Sequence, residues 1–481
     1  MADSDLGFEP ITRLAARIRA GSLSPVALVE HLLDGIRDLD ERLHAFIQVT
    51  PERAVAEAQA AASALKGGQD LGLLHGIPYA VKDLFDVKGL PTTAGTRLLE
   101  DNVARADCPA VRKLASAGMA LLGKTHTVQF AYGAVGINHD QGTPCNPWHP
   151  TPCAPGGSSS GSAVAVAAGL VPMALGTDTG GSVRMPASLC GIVGLKTTVG
   201  RISRAGVYPL SWTLDSVGVL TRSVEDAALV YHALQGVDLQ DETTVGVTPH
   251  DPLQGLKDGV KGLRIAFGET IFFDDVNPEV GKAVREAGAT LRSLGAHVGS
   301  VAVPEVAEAW TEQHRPLFIA AEACAINAEL LDKHFDALDP VVAERMIAGR
   351  TLSAVDYFSL LRRFAVLRQR VQRTLRDVDA LIVPATMIPA HPLAVVDESR
   401  ESYLTYNTKY HRNTSLGNIL NLCAVSLPCG FTHESLPIGL MIYAKPFQEE
   451  MALRVGYAYE QATEWHTRRP PLERLRRVEA P

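Results

Sequence analysis

The stretch from Gly156 to Thr197, GGSSSGSAVAVAAGLVPMALGTDTGGSVRMPASLCGIVGLKT, constrains the rest of the chain. Its apolar residues are small and nearly continuous, so it must be buried. Two Gly/Ser clusters, Gly156–Ser162 and Gly180–Ser182, flank that apolar run. Their glycines admit backbone conformations closed to larger residues. Their serines carry hydroxyls into the interior, where hydroxyls need partners. Upstream, the apolar, β-prone run Ile77–Val81 ends at Lys82, and a strand there points Lys82 and Asp83 to opposite faces. Such a lysine either packs its stem and sends its amine to water or turns its amine onto the serine-rich turns.

Glycine-rich turns also invite a phosphate-binding reading, and the sequence argues against it. No GxGxxG occurs, and Gly194-Leu-Lys-Thr197 has leucine where a phosphate loop needs glycine before the lysine. Serine chemistry remains. Gly180-Gly181-Ser182 can turn several backbone N–H groups toward one point, as an oxyanion hole requires. Each such donor is worth roughly 3 kcal/mol in the transition state. The serine still needs a base. A lysine buried among Ile77, Val81 and the Ala163–Ala168 segment loses its proton more readily, because desolvation disfavours the ammonium form. A second serine can bridge that amine and the nucleophile.

The remaining segments predict an α/β protein in which strands alternate with helices. Ser24-Pro25 caps a helix whose Leu28, Val29, Leu32, Ile36 and Leu39 share one face. Ala45–Val49 and Ala120–Lys124 read as strands, and Pro51–Leu65 and Pro109–Ala117 as helices. Val128–Asn146 is irregular; His126 before it, His139 within it and His149 beyond it lack metal-ligand spacing. After Thr197 a β-turn-helix pattern runs over Tyr208–Leu234, with Ser223 and Asp226 as a capping pair. Leu263–Phe267, the helix Pro278–Leu294 and the strand His297–Val303 open a further βα unit. Trp310–Gln372 is helical, and Ala380–Pro384 a buried strand. Glu398–Arg412 is polar and tyrosine-rich. Core character returns at Gly417–Pro428, followed by the strand Leu436–Tyr443 and the helix Glu450–Trp465.

Bulk properties narrow the function classes. A net charge of −8 argues against a general nucleic-acid binder, although an arginine-rich, solvated tail runs from Trp465 to Arg477. The seven cysteines are odd in number and contain no CxxC, which predicts neither a disulfide framework nor a zinc site. The opening MADSDLGFEP has no apolar leader run, and Ala163–Leu175 is too short to span a bilayer. Together these predict a soluble, cytoplasmic protein with no metal or cofactor.

The stretch from Pro155 to Thr197 resembles the signature of the amidase signature family, the Ser–Ser–Lys amidohydrolases. Gly76-Ile-Pro…Val81-Lys82-Asp83 and Ser211-Trp-Thr-Leu-Asp215…Arg222-Ser-Val-Glu-Asp-Ala227 support the resemblance. So do Leu436-Pro-Ile-Gly-Leu440 and Trp465-His…Arg469-Pro470, so that it covers nearly the whole chain. One departure is Ser160, where the family often has glycine. The resemblance implies a single domain over 1–481 with a large mixed central sheet flanked by helices on both faces. Within it, a catalytic core at about 70–235 is followed by a smaller α/β and helical substrate region at about 262–415 and a return to the core at 416–470. It implies Ser182 as the acyl-enzyme nucleophile, Ser158 as a bridging serine after a cis peptide, and Lys82 as general base. The backbone N–H groups of Thr179, Gly180, Gly181 and Ser182 would form the oxyanion hole, and Ser159, Asp178 and Arg184 would support the two turns. The substrate would be a small-molecule amide, with carbamates and aryl esters as related acyl donors. A homodimer is consistent with the family. The other readings are the subunit that releases ammonia from glutamine for tRNA-dependent amidation, and a non-catalytic, partner-binding member. The variable segments Val128–Cys145, Trp310–Phe318 and Tyr403–Arg412 are expected to line the pocket, with Tyr132, Trp310, Phe318, Tyr403, Tyr406 and Tyr410 as candidate contacts.

Overall fold

The computed structural model describes residues 3–313 and 315–475, with side chains described from residue 6 on. The last part of the arginine-rich tail, from Arg476, lies outside the described residues. Among the described residues, eleven strands form one mixed sheet. In chain order they are β1 (Phe46–Val49), β2 (Pro78–Lys82), β3 (Ala120–Thr125), β4 (Met173–Asp178), β5 (Val193–Lys196), β6 (Ser216–Thr221), β7 (Arg264–Gly268), β8 (His297–Val301), β9 (Ala380–Pro384), β10 (Cys423–Phe431) and β11 (Pro437–Ala444). In space they run β1-β3-β2-β4-β6-β5-β10-β11-β9-β7-β8. β2 lies parallel to both β3 and β4, and β7 parallel to β8 and β9; the other pairings are antiparallel.

Strand alternation divides the core between the two faces. Cys423, Val425 and Leu427 of β10, with Leu440 and Ile442 of β11, join one apolar cluster; Ala424, Met441 and Tyr443 join another. The first is covered by the helices Val224–Leu234, Pro278–Ser293 and Glu449–Gln461, the second by Pro304–Thr311, Ala354–Thr374 and Arg400–Ile419. With both faces covered, the central strands carry no polar side, and β2, β4, β6 and β11 are buried throughout.

Local chemistry sets several element ends. Ser24 Oγ accepts from Val26 N–H at 3.2 Å ahead of Pro25, and Ser223 Oγ accepts from Asp226 N–H at 3.2 Å. The Tyr208–Leu234 segment differs from its expected pattern. Residues 208–215 form turns, the strand follows at Ser216–Thr221, and the helix begins at Val224. The polar Glu398–Arg412 segment is the first part of the helix Arg400–Ile419. No described helix is long and apolar enough to cross a membrane.

Candidate active site

The site is built at the C-terminal ends of two neighbouring parallel strands, where open α/β sheets place their ligands. β2 and β4 pair with Val81 opposite Leu175, which brings Lys82 level with Gly176, one residue before Thr177. Lys82 is fully buried, and its Nζ donates to Ser158 Oγ at 2.7 Å and to Thr177 Oγ1 at 2.9 Å. Burial pushes the amine down to about 7, against the opposing pull of the Asp215 and Asp178 carboxylates. Asp83 points to the other face and pairs with Lys124 at 2.5 Å, so the adjacent carboxylate does not neutralise Lys82 directly.

The two Gly/Ser clusters meet at this point. Ser158 follows a cis Gly157–Ser158 peptide and precedes the helix Ser160–Ala167 that leads into β4. Ser182 lies beyond the end of β4, in the turn before the helix Arg184–Cys190. The Ser159 N–H donates to the Ser182 carbonyl at 3.1 Å, tying one turn to the other. Ser159 Oγ donates to the Thr177 carbonyl at 3.3 Å. Ser182 faces a small space of about 70 Å³ that Tyr132, Thr179, Gly180, Arg345, Asn407 and His411 also line.

Asp178 holds the second turn in shape. Its Oδ1 accepts from Gly181 N–H at 2.8 Å, and its Oδ2 from Val183 N–H at 3.1 Å. The Gly181 amide is therefore committed to Asp178, a difference from the expected four-donor oxyanion hole. Gly181 has φ +123°, and a Cβ there would lie 2.0 Å from Thr414 Oγ1, so the position admits only glycine. At Gly180 a Cβ would meet only Ser415 Cβ, at 3.8 Å, because that residue borders the cavity.

Arg184 anchors Asp178 in turn. Its Nη2 lies 2.9 Å from Asp178 Oδ1 and its Nε 3.0 Å from Oδ2, while Nη1 donates to Tyr443 Oη at 3.0 Å and Nη2 to Asn418 Oδ1 at 2.6 Å. Burial alone would raise the Asp178 carboxyl. The Arg184 guanidinium, with Lys196 and Asn418, outweighs it and holds the group well below the usual carboxylate range. Thr177, Asn418, Tyr443 and Thr414, whose Oγ1 donates to the Gly180 carbonyl at 2.8 Å, complete the framework. Sequence reasoning missed all four. Only Thr177 carried a signal, through its place one residue before Asp178 on an apolar strand.

Beyond Gly180 the space opens into a cavity of about 320 Å³. Of the proposed aromatic contacts, Tyr132 and Phe318 are on its wall. Trp310, Tyr403 and Tyr406 are not. Trp310 borders a separate outer groove and packs on Arg315 and His411. Tyr403 is buried in a neighbouring apolar cluster, and Tyr406 makes tilted ring contacts with His391 and Tyr410. The reason is helical phase. On the Arg400–Ile419 helix, Leu404, Asn407, Thr408, His411 and Ser415 form the stripe facing the cavity, and the tyrosines occupy the next stripe. Tyr410 is fully buried and lines neither space. His139 ties its loop to two carboxylates, Asp339 at 2.5 Å and Asp397 at 2.9 Å. Among the described residues, one group has metal-ligand proximity, His250 with Glu449 and Glu450. Glu449 is already held by Arg201 Nε at 2.9 Å, and none of the three belongs to this site.

Comparison with known proteins gives the same assignment throughout the chain. The family model described as Amidase matches residues 27–453. The A-type subunit of a glutamyl-tRNA(Gln) amidotransferase from Gloeobacter violaceus is 36% identical, covering 96% of this chain and 98% of the relative. A 2-amino-5-chloromuconic acid deaminase from Comamonas testosteroni is 39% identical over 93% of this chain and 94% of its own length. Among solved structures, the native peptide amidase from Stenotrophomonas maltophilia superposes with a TM-score of 0.84 at 30% identity, covering 96% of this chain and 98% of its own. With this sheet, this pair of serine-bearing turns beside a buried lysine and these relatives, the chain belongs to the amidase family and is an amidohydrolase, an enzyme that hydrolyses C–N bonds.

Proposed function

We propose that the chain is a free-standing amide hydrolase that works through a serine acyl-enzyme, with Ser182 as nucleophile, Ser158 as proton bridge and Lys82 as general base. The observation that carries this reading is a fully buried lysine bonded to Ser158, where burial pushes the amine down to about 7. A neutral amine has two N–H donors and one lone pair. One N–H donates to Thr177 Oγ1, and once the amine is neutral its lone pair replaces the N–H that faced Ser158 and accepts the Ser158 hydroxyl proton. Ser158 Oγ in turn takes the proton of Ser182 Oγ as that oxygen attacks the carbonyl carbon.

The amides of Thr179, Gly180 and Ser182 serve the developing oxyanion. When the tetrahedral intermediate collapses, the C–N bond breaks. The proton held as Lys82 ammonium returns through Ser158 to the leaving nitrogen, so Lys82 acts as base and then as acid. Water attacks the acyl ester by the same relay run again, releasing the acid and restoring Ser182. Carbamates and aryl esters present the same acyl carbon and enter the same cycle. The Gly181 amide, spent on Asp178, shapes the turn instead of binding the oxyanion.

A second reading, the ammonia-releasing component of a tRNA amidotransferase, is favoured by the relatives of that name that match nearly the whole chain. The stretch Ser211-Trp-Thr-Leu-Asp215 favours the free-standing reading. A panel of anilides, aliphatic amides, carbamates and glutamine, offered to the purified chain alone, separates the two. Turnover of amides other than glutamine without a partner is expected. Turnover of glutamine alone, and only with a partner protein added, would overturn the free-standing reading.

A further inference from the structure

Among the described residues, those lining the cavity next to Ser182 carry two positive charges and no negative one. Arg315 and Arg345 both line the 320 Å³ cavity, and Arg345 also lines the space that holds Ser182. Among the described residues neither guanidinium has a carboxylate at ion-pair distance. The acids nearest them in sequence are engaged elsewhere: Glu312 with Arg363 at 2.6 Å, Glu344 with Arg400 at 2.8 Å, Asp339 with His139 at 2.5 Å.

Each arginine is instead fixed by neutral groups. Arg345 Nη1 donates to the Tyr132 carbonyl at 2.8 Å, and its guanidinium carbon lies 4.0 Å from the centre of the Tyr132 ring. Arg315 Nε donates to the Trp310 carbonyl at 3.2 Å, with its guanidinium carbon 4.0 Å from the Trp310 ring centre. A stacked face and one carbonyl bond set the plane of each fork and leave most of its donors unspent. Asn407 adds another donor, since its Oδ1 is taken by the Ala134 N–H at 2.8 Å and its Nδ2 remains. His411 adds no charge. Its Nδ1 lies 2.6 Å from the Asn407 carbonyl, so that nitrogen carries the proton, and burial pushes the ring down to about 4.

Much of the remaining wall is apolar, including Leu214, Leu317, Phe318, Ile319 and Phe364. Two unneutralised guanidiniums on such a wall repel each other and are costly to dehydrate. Neither makes an ion pair that would hold the fold together. A ligand of opposite charge relieves both costs, and a carboxylate matches the planar fork with two oxygens.

We propose that Arg315 and Arg345 read a carboxylate on the substrate, so that the amide cleaved at Ser182 belongs to a small molecule carrying a carboxylate at a distance from the scissile bond. This rests on the Ser182 acyl-enzyme reading.

The test compares kcat/KM for glutaramate and adipamate with the neutral pentanamide and hexanamide, in wild type, Arg315→Met, Arg345→Met and the corresponding Lys variants. The wild type should favour the carboxylates by on the order of 100-fold. Each Met variant should lose most of that ratio, and each Lys variant should recover part of it. In parallel, calorimetry should detect glutarate binding to Ser182→Ala and lose it when either Met substitution is added. Equal rates for charged and neutral amides, or a ratio and glutarate affinity unmoved in both Met variants, would overturn the carboxylate reading. Fluorophosphonate labelling of Ser182 keeps the two claims apart. Labelling with no carboxylate preference sinks this inference alone, and no labelling sinks the serine reading while glutarate binding still decides the arginines.

Discussion

Replacing Lys82 with methionine should make the protein more stable at neutral pH and less stable in alkali. The fold holds this amine near 7, whereas it titrates at 10.5 when free. Between about pH 10.5 and 7 the unfolded chain binds a proton that the folded chain refuses, so the lysine opposes folding, and the penalty grows through that window to its full size below about pH 7. Its size at pH 7 is roughly 4 to 5 kcal/mol. Methionine has a similar length and no charge, and removes that penalty. It also strands the Ser158 and Thr177 hydroxyls, at a cost of about 1 kcal/mol each.

The variant should therefore gain roughly 2 kcal/mol at pH 7. At pH 9.5 the lysine penalty has shrunk to about 1 kcal/mol, and the lost hydrogen bonds dominate, so the order of stabilities should reverse. Urea unfolding of both proteins at the two pH values measures the difference directly, with turnover abolished in the variant throughout. A variant less stable at pH 7 by several kcal/mol, with a difference that does not move with pH, would mean that Lys82 is charged in the folded protein. The base assignment would then fail.

Two further outcomes follow from the same geometry. The acid limb of kcat/KM should fall with an apparent midpoint near 7, because protonating the buried Lys82–Ser158 pair removes the base. A limb confined to pH 4–5 would point to a carboxylate instead. Gly181→Ala must place a methyl 2.0 Å from Thr414 Oγ1 at a φ of +123°, which displaces the turn carrying Thr179 to Ser182. It should cut kcat by on the order of 100-fold or more, in line with the effect of a 1 Å misplacement. Wild-type kcat in a folded Gly181→Ala protein would refute the role given to that turn.

The sequence makes the candidate reacting residues legible and leaves their surroundings dark. Lys82 can be placed because Ile77–Val81 is an apolar run that ends on a charge, and the serines because glycine marks turns that no other residue allows. β4 and β5 are harder. They are buried on both faces, so Met173–Asp178 and Val193–Lys196 show no alternation and merge with the apolar helices beside them. Thr177, Asn418 and Tyr443 act through contacts made by remote segments, which spacing along the chain cannot report.

The pocket is hidden for a different reason. Aromatic character suggests a binding wall, but only the phase of the Arg400–Ile419 helix decides that Asn407 and His411 face the cavity while Tyr403 and Tyr406 pack behind it. Arg315 and Arg345 announce themselves only once their lack of acidic neighbours is visible in three dimensions.

The central claim is that Ser182 forms a covalent acyl intermediate. Intact mass after incubation with a fluorophosphonate, run on the wild type and on Ser182→Ala, tests it most directly. One adduct on the wild type and none on the folded variant is the predicted result. An adduct of equal yield on Ser182→Ala, or none on a wild type that hydrolyses amides, would contradict it.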